Sequence, residues 1–528
     1  MRCPCDAALA SHSRAERRST LTKLQRQPEF PQRAQVQELL GLARERSGQL
    51  AHAKAEYQEY LRRYPRGEAV GRVRMRLRIL HAAAASGRAG IAGGRDAEGW
   101  TVTGGASQLY RHDRSELETA TSSIRSTDQS ALFNDADVLA RRRGQRTDLT
   151  VRASAGYTQD LLPDGPGNQT RVSTAYVDVV DRALGIAGRL GRQSRAADGV
   201  LGTFDGLALS YRLRPAWYVE GSVGMPVEST QEGPETERQF STAAVRFAPE
   251  GSAWDVSTFA TVQRFDGLRD RQAAGLEMSY FVPARSLVAL LDYDTSYSSL
   301  NAAVLIGTLQ LPARWTLSLD VERRNSPVLT TRNALIGQPV TSLATLRQTF
   351  SDEEIHSLAR DRTQAVTSCA LSMSKPLGER FQITADVLGT QWHGTPASGG
   401  VQAQPATGLE MSWQTQLLAN SLLRSGDFHS LALRYDTYST GRAQSLGLAT
   451  RMPLLGAWRV GPRLRIDRRE LVDRTTQLAY LPALRIDYQR ERRLFELELG
   501  AELGHRDRID QAEDSQRYFL GLGYRIGF

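Results

Sequence analysis

The chain is poor in the residues that would tie it to a metal, a disulfide framework or a membrane helix. Its 528 residues hold three cysteines, Cys3, Cys5 and Cys369. They are too few and too scattered for a zinc site or a set of bridges, and no apolar segment precedes Cys3 or Cys5 to mark a lipid anchor. No apolar run approaches the ~18 residues of a spanning helix. Lysine occurs only at Lys23, Lys54 and Lys375, so the net charge of +9 rests almost wholly on arginine. Those arginines are spread along the chain among acids, unlike the clustered basic face of a nucleic-acid protein. An arginine excess can serve bidentate recognition of phosphate or carboxylate, but coding bias in a GC-rich genome is the plainer account. The histidines after residue 100, His112, His356, His393, His429 and His505, stand isolated and unframed by a serine motif. Phosphate loops, dinucleotide fingerprints and metal-ligand spacings are missing too. No catalytic residue, cofactor or metal is therefore expected, and the chain does not read as an enzyme. MRCPCDAALASHSRAERRSTL has no apolar h-region, so no signal peptide is read there. If the remainder is an outer-membrane barrel, a natural start upstream is expected.

What is present falls into two regions of different period. Residues 1–31 are irregular. From 32 to 85 apolar or small residues recur at three and four: Val36, Leu39, Leu40, Ala43, then Leu50, Ala53, Tyr57, Tyr60 and Leu61. Ser47-Gly48 breaks the pattern as a turn between helices does, and Pro65 closes it. The stretch resembles one tetratricopeptide repeat, with Leu40-Gly41, Ala53, Tyr57 and Pro65 at motif positions and departures at Gln37, Arg44 and Tyr60. One repeat cannot bury its own face. Either a following helix caps it or further repeats precede it. Residues 86–98 read as a linker of small residues.

After Trp100 the period becomes two. Trp458, Val460, Pro462, Leu464 and Ile466 alternate with Arg459, Gly461, Arg463, Arg465 and Asp467; Phe495, Leu497 and Leu499 alternate with Glu496, Glu498 and Gly500. About twenty such strands are read between 99 and 528, in a range of 16–22. Many begin with an aromatic just after a short turn (Trp217, Trp315, Phe381, Trp458, Phe495), where an interfacial girdle lies, and the alternate connections are long and polar. The fold class expected is mainly β: a large antiparallel transmembrane barrel behind a short helical segment. The last stretch, RYFLGLGYRIGF, resembles the terminal signal read by the outer-membrane assembly machinery, which implies that role for Tyr524, Ile526 and Phe528.

With the polar face turned inward, one hairpin carries Arg212, Arg214 and Glu220. One strand carries Arg459, Arg463, Arg465 and Asp467, and the strands after it Arg485 with Asp487, then Glu496, Glu498 and Glu502. Facing rows of opposite sign form an electrostatic ladder that stiffens the wall, or a track for an anion; the sequence leaves both open. The stretch GRLGRQSRAADGVLGTFDGLALSY, with Arg189, Arg192, Arg195, Phe204, Asp205 and Gly206, resembles the arginine-rich hairpin of alginate-export-type barrels and some porins. That resemblance implies arginines near a constriction. In 343–363, Ser351 and Glu354 have capping-box spacing ahead of Ile355, Leu358 and Ala359, so a short helix is expected, plugging the interior or lying over its mouth.

Helical repeat followed by barrel resembles the exporters of exopolysaccharides such as cellulose and poly-N-acetylglucosamine, and proteobacterial repeat-plus-barrel proteins. It implies an outer-membrane pore or export channel for an anionic solute or polysaccharide, with the N-terminal segment as a periplasmic scaffold. The alternative is a structural protein whose plugged barrel anchors the repeats to a partner complex. Expected partners are outer-membrane lipid and lipopolysaccharide, the barrel assembly machinery and a periplasmic protein on the helical segment, but no nucleic acid.

Overall fold

The computed structural model describes residues 99–119, 121–508 and 511–528. The repeat positions Leu40, Gly41, Ala53, Tyr57 and Pro65 lie outside the described residues. The described residues form 22 strands in one sheet, numbered β1 to β22 in chain order, from β1 (Gly99–Thr119) to β22 (Gln511–Gly527). Each strand pairs antiparallel with the next, and β1 pairs with β22, so the sheet closes without an edge. In lipid every backbone N–H and C=O needs an internal partner, and a closed barrel is the one all-β arrangement that supplies it.

Alternation sets the two faces. In β8 (Arg238–Phe247) Arg238, Phe240, Thr242, Ala244 and Arg246 are buried while Gln239, Ser241, Ala243, Val245 and Phe247 are exposed. Large apolar side chains cover the outer face: Leu190 is 63% exposed, Leu409 67% and Leu522 57%. A water-facing sheet would not leave so wide an apolar surface bare, whereas lipid solvates it.

The two ends differ. Connections after odd-numbered strands include residues 161–168, 228–237, 327–363 and 393–407; at the other end the longest is 421–427. Aromatics gather at the short-turn end. Trp217 meets Phe247 at 4.8 Å, Trp254 meets Tyr280 at 4.6 Å, and Trp458, Tyr488, Phe495 and Tyr524 run as neighbours across β19 (Trp458–Leu471), β20 (Thr476–Arg490), β21 (Arg493–Arg508) and β22. This row is the girdle expected from the sequence.

Closure has a specific fitting. Phe528 N donates to Gly104 O at 3.0 Å, Gly104 N donates to Phe528 O at 3.2 Å, and the Phe528 ring covers Gly104 so closely that a Cβ there would lie 2.6 Å from it. Only glycine admits that approach. Deleting Phe528 removes both bonds and the ring contact, an expected loss of roughly 1–3 kcal/mol at the closing seam. It should appear as a lower temperature at which the folded, fast-migrating form disappears on an unheated gel. An unchanged temperature would show that the seam does not depend on this residue.

Candidate functional site: the barrel interior

Two segments pack against inward-facing residues of the wall. The first is the hairpin of β5 (Ile186–Ala197) and β6 (Val200–Arg214), whose tip turns through Asp198-Gly199 and folds inside the barrel. Its contacts are all with inward-facing residues of the neighbouring wall. Thr242 Oγ1 donates to Asp198 O at 2.6 Å, Ser257 Oγ to Asp198 Oδ1 at 2.7 Å, and Asp198 N to Glu277 Oε1 at 2.6 Å. Arg195, buried beside the tip, pairs with Asp198 and Glu220 and donates to Ser222 Oγ. Arg246 pairs with Asp255, with Glu220 3.8 Å away. Arg271 Nη1 donates to Gly199 O at 3.1 Å. Gly199 has φ +77°, and a Cβ there would fall 2.5 Å from the Phe259 ring, so the turn requires glycine on both counts. Glu220, Arg246 and Ser257 lie in the short-turn halves of their strands, so the tip reaches past mid-height.

The second segment is the connection 327–363. It holds a 3-10 turn (Thr331–Leu335) and two helices, α1 (Leu343–Leu346) and α2 (Asp352–Asp361). The capping box forms: Ser351 Oγ accepts from Glu354 N, and the Glu354 carboxylate accepts from Ser351 N at 2.8 Å. The Ser351 backbone N–H and hydroxyl hold Glu354 below the usual carboxylate range. The face Ile355, Leu358, Ala359 closes a small core with Leu329, Ala334, Leu343 and Leu346 against Phe265, Leu268 and Tyr297 of the neighbouring hairpins. Polar ties hold the segment in place. Thr331 N donates to Asp270 Oδ1 of the wall at 2.8 Å, Arg332 pairs with Glu228 of the 228–237 connection at 2.8 Å, and Arg362 donates to Ala334 O within the segment and to Ser398 O of the 393–407 connection. Asp352 pairs with Arg347 of the same connection, and Glu354 is engaged in its cap, so neither reaches a wall arginine as a plug would need.

Between hairpin and connection lies a cavity of about 640 Å³. Phe204 and Phe240, edge to face at 5.0 Å, form one wall, and Thr261, Gln263, Asn333, Arg238, Arg271 and Arg332 supply polar groups. The arginines are already engaged, Arg238 with Asp270 and Glu228, and Arg271 with Asp292.

The residues singled out in the sequence separate into three groups. Arg459, Arg463 and Arg465 share the inward face of β19, with Asp467 completing it. Arg463 pairs with Glu498 and stays 37% exposed; Arg465 pairs with Asp467 at 2.5 Å and stays 53% exposed. Arg485 is buried between Asp487 and Glu496, Arg195 is the buried tip residue, and Arg189 is held by Asp178 at 2.7 Å over the Tyr176 ring. Arg212 faces inward opposite Tyr218. Arg192 and Arg214 depart from the expected inward row. Arg192 falls on the Leu190 side of its strand but is buried, gripping Asp205 at 2.7 Å and donating to Val172 O and Glu232 O; Arg214 follows a bulge that sets it opposite outward Trp217. A bulge adds one residue and inverts the alternation beyond it, which a strict period of two does not anticipate.

Arg152, Arg469 and Arg525 also face inward by register, with no ion pair among the described residues. Arg469 continues the alternation of 459–467 by one step and was legible by extending the count. Glu277 and Arg271 were not, because Asp198 N and Gly199 O, which they meet, lie on the folded tip.

A closed barrel with an apolar outside, a charged inside, an aromatic girdle at the short-turn end and folded-in loops is of the outer-membrane class. No protein-family model matches the sequence, and no curated protein matches it. Solved structures similar to it include the outer membrane protein OpdK of Pseudomonas aeruginosa, at 11% identity over 81% of this chain and 99% of that one, with a TM-score of 0.36. OccAB1 of Acinetobacter baumannii is similar at 9% identity over 80% and 97%, with a TM-score of 0.39. OccK2 (OpdF) of Pseudomonas aeruginosa is similar at 10% over 80% and 98%, with a TM-score of 0.36. Superposition that loose transfers no residue roles.

Proposed function

We propose that the chain resides in the outer membrane and passes small anionic solutes through its interior, narrowed by the β5–β6 hairpin and the 327–363 connection. The observation that carries this reading is the β19 row, in which Arg463 and Arg465 keep solvent-exposed guanidinium groups on the inward face despite their acid partners. Fixed positive groups on a water-filled wall raise the local anion concentration. Arg469 and Arg152, which have no ion-pair partner among the described residues, add to the same field. A cavity of about 640 Å³ beside the hairpin suits a small solute better than a polymer chain. No chemical step is involved. Phe528, Tyr524 and Ile526 serve recognition by the assembly machinery on this reading.

The test is current through the purified barrel in a planar bilayer. The open barrel should prefer anions at low salt and lose the preference at high salt, because screening acts over ~8–10 Å at ordinary ionic strength. Replacing Arg459, Arg463 and Arg465 together by Gln should lower anion selectivity while the gel mobility of the folded form persists. Unchanged selectivity with a weakened barrel would assign the row to the wall ladder instead. The connection's own apolar core also supports a second reading, a closed barrel that anchors a periplasmic assembly. Intact folding with no measurable current would favour it.

A further inference from the structure

On the outward face, Arg264 of β9 (Trp254–Phe265) stands directly opposite Arg269 of β10 (Leu268–Val282), and Gln239 of β8 stands opposite Arg264 on its other side. Both arginines are exposed, and neither forms an ion pair among the described residues. Asp270, next to Arg269, is buried and paired with Arg238, and Asp266 and Glu237 make no pair with either arginine; Asp266 N donates to Glu237 O at 3.0 Å. Arg347 brings another guanidinium to this turn, donating to Asp266 O at 3.0 Å. Like charges directly opposite across two strands destabilise a sheet, so the pair stands against the folding interest of the wall.

Its height explains it. Trp254, at the girdle, and Arg264 are ends of one outward run, with Val262 apolar one step below Arg264. Ten residues span about 33 Å of strand, or roughly 23–27 Å of height at a tilt of ~35–45°. That equals the apolar belt of an outer-membrane barrel, about 25 Å. The arginine pair therefore sits at the headgroup level of the leaflet on the long-loop side, with acyl chains against Val262 below.

We propose that Arg264 and Arg269 bind a phosphate group of the outer-leaflet glycolipid, the lipid A part of lipopolysaccharide. Two guanidinium forks facing one another suit a tetrahedral dianion, each offering paired N–H donors, and the bound phosphate would relieve their repulsion. The inference rests on outer-membrane residence and is independent of whether the interior conducts.

The test is native mass spectrometry of the full chain in detergent titrated with lipid A, with folding of each sample verified by its heat-dependent gel mobility. The wild-type barrel should retain one lipid A, and Arg264→Gln with Arg269→Gln should weaken retention by about tenfold or more. The Lys double variant should keep much of it, and dephosphorylated lipid A should bind the wild type no better than the Gln variant binds lipid A. Equal retention by wild type and Gln variant overturns the site. If phosphatidylglycerol binds as well as lipid A and is lost equally on substitution, the pair reads any anionic headgroup and the assignment to lipid A falls. The wild-type comparison of phosphorylated and dephosphorylated lipid decides the question even if a variant folds poorly.

Discussion

Replacing Arg195 by Ala is expected to release the β5–β6 tip from the barrel wall, destabilise the protein and raise its conductance. Arg195 pairs with both Asp198 and Glu220, and all three are buried. Its loss leaves two carboxylates facing each other and Glu277 with only Arg246 for compensation. Removing one partner of a buried charge network typically costs about 3–5 kcal/mol, because the remaining charge has neither water nor counter-ion. The tip can escape that cost by swinging out of the interior, which removes the element that reaches past mid-height. Thermal unfolding followed by gel mobility and single-channel current would be read together. Lys at the same position keeps the charge but loses the paired geometry toward two acids, so an intermediate result is expected. A destabilised barrel whose current is unchanged would show that the hairpin stabilises the wall without limiting flow.

The second large effect is expected from the 327–363 connection. Exchanging residues 331–361 for a short Gly-Ser linker removes the core of Ile355, Leu358, Ala359 and Leu343 together with the Arg332–Glu228 and Arg362–Ala334 ties. The ladder between β13 (Thr316–Ser326) and β14 (Gln364–Leu377) lies outside the exchange and should persist. The barrel should thus fold, with a severalfold larger single-channel current and weaker discrimination between small and large anions. A current equal to wild type would place the connection above the entrance rather than in the path.

Legibility differed sharply between elements. The terminal strand and the 458–467 strand could be read from residue types alone, because successive side chains of an extended chain point to opposite faces whatever surrounds them. The capping box at Ser351 and Glu354 was equally readable, since it is closed within one helical turn. Trp217, Trp458 and Phe495 at strand starts placed the girdle. Strict alternation predicts Arg192 and Arg214 inward, and neither follows it. The first is buried against Asp205 and the carbonyl of Glu232, and the second sits beyond a bulge, a backbone irregularity with no residue signature in this hairpin. The arginine-rich hairpin is legible in the sequence, but its destination is not: Asp198 meets Ser257 and Glu277, 59 and 79 residues away.

By itself the sequence determined the class of the chain from residue 99 onward, namely alternating strands, one face for lipid and one for charge, short turns at one end and long loops at the other. These follow from covalent geometry and from the separate solvation of two faces, both local properties. Tertiary structure alone decided that the sheet closes at 22 strands, that Arg195 becomes a buried latch while Arg465 stays wet, and that Arg264 and Arg269 face each other above the apolar belt. Each of these depends on strand register and on loops returning across the barrel, and the energies that set them come from pairs of residues far apart in the chain.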